Sequence, residues 1–238
     1  MAINAGDTTY YQAKRGIVQD GLVLNLDAAV DASYPGNGTT WYDLSPSGIN
    51  ATLYNGAVLN RDKGGVIAFD GTDDYAQTAD VNLGPSGSIS IFLKWNDNTA
   101  SYFGSFVCHG YEAAGLFRIG HSTTSTTMQW AIQGTGSVVY SINNGNLPVD
   151  NEYHHVFMTW NDTNVIGYID NVEVFNTGHG LTLTGFYDTI DIASIRAGIV
   201  GQSVRYADVD IANICIWNRT LSSSEVEQTY NSLIGRFE

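Results

Sequence analysis

The stretch HHVFMTWNDTNVIGYIDNVEVFN, residues 154–176, decides the fold class. Val156, Met158 and Trp160 recur at every second position and share one face, leaving His155, Phe157 and Thr159 on the other. Side chains alternate across a strand, so a period of two predicts β-structure and not helix. Reversals follow at 161–164 and at Asp170-Asn171, where Asn and Asp tolerate the backbone geometry of short hairpins. Strand, turn and strand in this order predict an antiparallel meander. One apolar face and one more polar face predict a sheet packed on one side and wetted on the other.

The same pattern extends in both directions. Met128, Trp130 and Ile132 alternate with Gln129, Ala131 and Gln133, and GLVLNLDA, GVIAFDG, SISIFLKW and DVDIANICIWNR carry similar short apolar runs. Gly, Asn or Asp punctuates the intervals, giving roughly twelve to fourteen strands at sandwich spacing. With 43% apolar residues in a chain of 238, a sizeable core can be buried. Only 14% of residues are charged, and 26 glycines against 4 prolines suit a turn-rich β-protein. One helix is predicted near the end, in LSSSEVEQTYNSLIG. Ser222 and Glu225 have capping-box spacing, Val226, Tyr230 and Leu233 line one side, and Gly235 stops the helix. It is expected against an edge or rim. Residues 1–20 read as an anchoring arm bearing Tyr10, Tyr11, Lys14 and Arg15, and residues 21–238 as one domain. The expected fold is all-β, a two-sheet antiparallel β-sandwich with one short C-terminal helix.

A net charge of −14 with ten basic residues argues against nucleic acid, whose phosphates need clustered cations. No apolar run approaches the length needed for membrane insertion, and the N-terminus lacks the apolar segment of a secretory signal, so a product made in the cytosol is expected. Under that expectation Cys108 and Cys215 read as two buried thiols, and the sequons at Asn37, Asn50, Asn161 and Asn218 as turn residues.

Four stretches, GLVLNLDA with TWYDLS, FDGTDDYA, HHVFMTWNDTNVIGYIDN and DVDIANICIWNRTLSSSEVEQTY, resemble a concanavalin A-like lectin/glucanase domain of the laminin G-like (pentraxin-like) type, over roughly residues 20–234. The resemblance implies a jelly roll. The opening segment, GLVLNLDA to YPGNGTTWYDLSPSGINATLYNG, also resembles a variant found in structural proteins of marine and cyanobacterial bacteriophages. That implies a virion surface protein made in the host cytoplasm, a capsid-decoration or knob-like protein that stabilises the shell or adheres to host glycans. Other virion proteins would be its partners through the arm, and a homo-oligomer such as a trimer would suit symmetric display. The alternatives are a free Ca²⁺-dependent lectin or adhesin and a tail-fibre receptor-binding domain.

The chemistry-bearing residues favour binding over catalysis. Glucanases of this fold carry a Glu-x-Asp-x-x-Glu type run, and retaining hydrolysis needs two carboxyls about 5 Å apart. The six Glu here, at 112, 152, 173, 225, 227 and 238, form no such run, so no catalytic residue is assigned. His154 and His155 point to opposite faces of a strand and cannot grip one metal. Asp70, Asp73, Asp74 and Asp208 could offer hard oxygen ligands to Ca²⁺, but DGTDD reads first as a backbone turn, and no cofactor is required. Sugar recognition needs aromatic faces with polar groups beside them; the candidates are Trp41, Tyr42, Tyr102, Tyr111, Arg118, His121 and Gln133. Trp95, Trp130, Trp160 and Trp217 are expected in the core.

Overall fold

The meander predicted over residues 154–176 forms in the computed structural model, with Asp170 (φ 49°) and Asn171 (φ 62°) in the left-handed conformation that a two-residue hairpin demands. The structure describes residues 16–96, 104–109, 117–121, 126–135, 139–184, 186–195 and 205–238. Tyr10, Tyr11, Lys14 and Arg15 of the arm, and Tyr102 and Tyr111, lie outside the described residues.

In chain order the strands begin with β1 (Leu22–Asp27), β2 (Thr40–Trp41), β3 (Ala51–Tyr54), β4 (Val58–Asn60), β5 (Val66–Asp70), β6 (Tyr75–Thr78) and β7 (Val81–Leu83). The middle set is β8 (Gly87–Trp95), β9 (Gly104–His109), β10 (Phe117–His121), β11 (Thr127–Gln133), β12 (Val139–Asn146), β13 (His154–Trp160), β14 (Asn164–Ile169) and β15 (Val172–Gly178). Then come β16 (Phe186–Asp188), β17 (Ile190–Ile192), β18 (Ser194–Ile195), β19 (Arg205–Tyr206) and β20 (Asp208–Trp217), and a helix α1 (Ser223–Leu233). The back sheet runs β15-β14-β13-β8-β20-β5-β4, with β1 also paired to β20; the front sheet runs β12-β11-β10-β9-β17-β6-β3-β2. Among the described residues every strand pairing is antiparallel. This is the all-β sandwich with one short C-terminal helix that the sequence predicts.

The inward faces of the two sheets make one continuous core. Trp41, Trp95, Trp130 and Trp160 all lie in it, while Trp217 packs on the far side of the back sheet. That far side corrects the expectation of one wet face. His155, Phe157 and Thr159 are fully buried, because α1 lies across the outside of the back sheet and not along an edge or rim. Val226 packs with Phe157 and Trp217, and Leu233 with Phe92 and Ala212. The outer-face residues of β13 therefore have a second core to enter.

The helix is held at both ends. Glu225 accepts from the Ser222 amide at 2.8 Å, completing the capping box, and pairs with Arg219 at 2.6 Å. At the other end Arg236 reaches Asp27 at 2.7 Å and Lys63 donates to the Phe237 carbonyl at 2.8 Å. Val18, within the segment read as arm, is buried beside Trp217, whose indole N–H donates to the Val18 carbonyl at 2.8 Å. Packing onto the domain thus begins before residue 21. The two cysteines are free thiols; Cys108 is on the outside of the front sheet and Cys215 on the outside of the back sheet, so both sheets separate them.

Candidate functional site on the front sheet

Cross-strand register aligns one residue from each front-sheet strand: Thr40, Thr52, Gln77, Asp191, Cys108, Arg118, Ala131 and Ser141. Their sequence neighbours Trp41, Leu53, Ala76, Ile192, Val107, Ile119 and Trp130 are in the core, so by strand alternation this row lies on the outward face. Asp191 is 1% exposed and Arg118 8%, so the middle of the row holds buried charge. Buried charge is tolerated only when hydrogen-bonded. Gln77 donates to Asp191 at 2.7 Å, Arg118 donates to Gln129, and Gln129 donates to Asn143 at 3.3 Å. Burial pulls the Arg118 guanidinium below its ordinary pKa. The Cys108 thiol, between the charged residues, donates to the Ser194 carbonyl at 3.5 Å.

An aromatic cluster borders this row on the same outward face. Tyr54 and Tyr75 are cross-strand partners on β3 and β6, with rings stacked 4.5 Å apart at 10°. The Tyr206 ring follows 6.2 Å from Tyr75. Tyr54 is 37% exposed, and the other two are half-buried.

The acidic corner of the FDGTDDYA segment, residues 69–76, adjoins these tyrosines. Oxygen atoms of Asp70, Asp73 and Asp74 lie within 4.8 Å of one another. Asp70 accepts from the Thr72 amide at 2.8 Å and from the Asp73 amide at 3.4 Å, with Gly71 at φ 71°. Those backbone bonds, the Thr72 one foremost, hold the Asp70 carboxyl below the usual range. Asp74 accepts from the Asp70 amide at 3.3 Å, and burial raises its pKa. The three carboxylates could contribute to a Ca²⁺ site, yet Asp70 and Asp74 spend oxygens on the turn itself. Asp208 sits opposite Asp70 in the ladder, outside that close group, and accepts from Asn96 at 3.1 Å.

Several predicted sugar contacts are corrected. Trp41 is fully buried, because its strand turns it into the core. His121 is a core residue stacked on Trp95 at 4.7 Å, so it cannot meet a ligand. Arg118 lies on the outward face but is buried and engaged, and Gln133 is also buried. Among the described candidates Tyr42 is exposed, at 45%. Gln77, Asp191, Tyr54, Tyr75 and Tyr206 were missed. Only Tyr54 and Tyr75 left a signal, each beginning or ending a strand beside a turn.

A family model described as the concanavalin A-like lectin/glucanases superfamily, of the laminin G type, matches residues 70–227, more than half of the chain. The chain belongs to this superfamily. Among the solved structures similar to this laminin G-type chain is the binding domain of Paraclostridial Mosquitocidal Protein 1, with a TM-score of 0.70 at 16% identity, covering 90% of this chain and 52% of that one. Another is the botulinum neurotoxin serotype D binding domain, with a TM-score of 0.69 at 15% identity and coverages of 91% and 53%. A third is the binding domain of botulinum neurotoxin DC in complex with SialylT, with a TM-score of 0.66 at 17% identity and coverages of 90% and 52%. At such identities the likeness is one of fold, and this chain spans about half the length of each neighbour. No curated protein matches it.

Proposed function

We propose that this concanavalin A-like domain is a non-catalytic glycan-recognition module, displayed on a virion surface and anchored there by the part of the N-terminal arm that precedes the domain-packed Val18. The observation that carries the recognition reading is the solvent-reached end of the front sheet's outward face, where the stacked Tyr54 and Tyr75 rings border the half-buried Thr52 and Gln77 of the polar row. Asp191 is the one carboxylate in that row, and it is tied to Gln77, whereas glycoside hydrolysis uses two facing carboxyls. The described Glu residues lie elsewhere, on β15, on α1, in the 150–153 turn and at the C-terminus. Membership of a lectin-containing superfamily and a fold shared with toxin binding domains support the reading. The resemblance of the opening segment to phage structural proteins supports the virion setting, with glycans and other virion proteins as partners and a homo-oligomer as the displayed form.

The test has two arms. The intact chain is applied to a glycan array and incubated with the same glycans to look for cleavage; binding without turnover is expected, and turnover refutes the non-catalytic role. A chain lacking residues 2–16 is then offered to assembling particles. It should fold but fail to incorporate, and normal incorporation refutes the anchoring role.

A further inference from the structure

We propose that Tyr54, Tyr75 and Tyr206 form the stacking platform of a saccharide site whose ligand is neutral or amine-bearing and not acidic. The inference rests on the glycan-recognition reading and deepens it.

Three tyrosines from β3, β6 and β19 converge at the end of the front sheet, although nothing in their local sequences links them. Tyr54 and Tyr75 point away from the core, since Leu53 and Ala76 beside them point into it. Stacking the two rings on each other fixes both before a ligand arrives. Tyrosine has few rotatable bonds, so a preorganised ring meets the C–H face of a sugar at small entropic cost. Hydrogen-bonding groups suited to hydroxyls lie next to the rings. Thr52 and Gln77 precede and follow Tyr54 and Tyr75 by two positions on the same face, and the Asn55 side chain, bonded to the Asp73 carbonyl at 2.8 Å, follows Tyr54.

Charge selects the ligand class. Asp73 and Asp74 immediately precede Tyr75, Asp70 belongs to the same turn, and Asp208 follows Tyr206 by two positions; among the described residues the cations set against these four carboxylates are Arg205 and, farther along the row and buried, Arg118. A sialylated or uronic-acid sugar would bring its own carboxylate into a negative field. An amine over a tyrosine ring beside carboxylates is attracted by both.

Binding of the intact chain to chitotetraose, its N-deacetylated form, lactose and sialyllactose is measured by titration calorimetry, for wild type and for Tyr54→Ala, Tyr206→Ala, Tyr54→Phe and Asp73→Asn. Neutral or amine-bearing sugars should bind, Tyr54→Ala and Tyr206→Ala should each weaken binding about tenfold or more, and Tyr54→Phe should retain it. Asp73→Asn should weaken only the amine-bearing ligand. Tyr206→Ala is the decisive variant if Tyr54→Ala loosens the sheet, and melting temperatures report folding. Preference for sialyllactose over lactose overturns the ligand class while leaving glycan recognition standing. Unchanged affinity in the folded Tyr206→Ala protein overturns the platform. Failure of every glycan on the wider array overturns both this site and the recognition role.

Discussion

Replacing Asp43 by Ala should unfasten the start of the domain. Asp43 lies in the TWYDLS segment by which the chain resembles its family, and the structure gives it a framework task. Its carboxylate accepts from the amides of Asn25 at 2.8 Å, Ser45 at 2.8 Å and Ile49 at 2.9 Å, and from the Ser45 hydroxyl at 2.7 Å. The Asp43 amide donates to Asn50 at 3.0 Å, closing the loop from the other side. One side chain thus pins β1 to the loop that leads from β2 into β3. Each hydrogen bond to a charged group contributes roughly 1.5–3 kcal/mol, but these sites are half-buried and water replaces part of the loss, so the net cost is about 3–4 kcal/mol. For a domain of this size that lowers the melting temperature by roughly 6–16 °C. Asp43→Asn, which keeps one accepting oxygen, should lose about half as much. Urea denaturation followed by tryptophan fluorescence measures both. An Asp43→Ala protein within about 1 kcal/mol of wild type would show that the four bonds are not stabilising the fold.

Further outcomes concern pH, metal and the terminal lock. His154 bonds Asp170 at 2.7 Å and Asp150 at 3.3 Å, and the Asp170 bond foremost raises its pKa above 6.5. A raised pKa stabilises the protonated folded form, so this contribution is complete below 6.5 and fades as pH rises through the folded pKa; His154→Gln should remove that slope from a stability–pH curve. Glu225 behaves oppositely: its bond with Arg219 depresses its pKa from 4.5 to about 2. Stability from this pair is present above 4.5 and lost as pH falls towards 2, and Glu225→Gln should flatten the acid limb by about 1–2 kcal/mol after allowing for solvent screening. Chelation of Ca²⁺ by EGTA should move the melting temperature by less than about 2 °C, because Asp70 and Asp74 already serve the turn; a large drop reversed by Ca²⁺ would reassign them as ligands.

Local patterns in the chain were enough for the strands, the hairpin at Asp170-Asn171, the Ser222–Glu225 cap and the lack of a paired-Glu run, because each is a property of residues a few positions apart. They were not enough for His155, Phe157 and Thr159. Their burial depends on a helix some seventy residues further along (Ser223–Leu233) lying over them. The same limit explains the candidate site. Trp41 and His121 are the right residue types on the inward phase of their strands, and phase relative to the core is set by pairing with partners distant in sequence. The polar row draws one residue from each of eight strands, and the tyrosine cluster unites positions 54, 75 and 206. Sequence by itself determined what kind of elements form and what chemistry was available. Only the register of the folded sheets decided which side chains share a face, since a one-residue shift would send the same side chains to the opposite side.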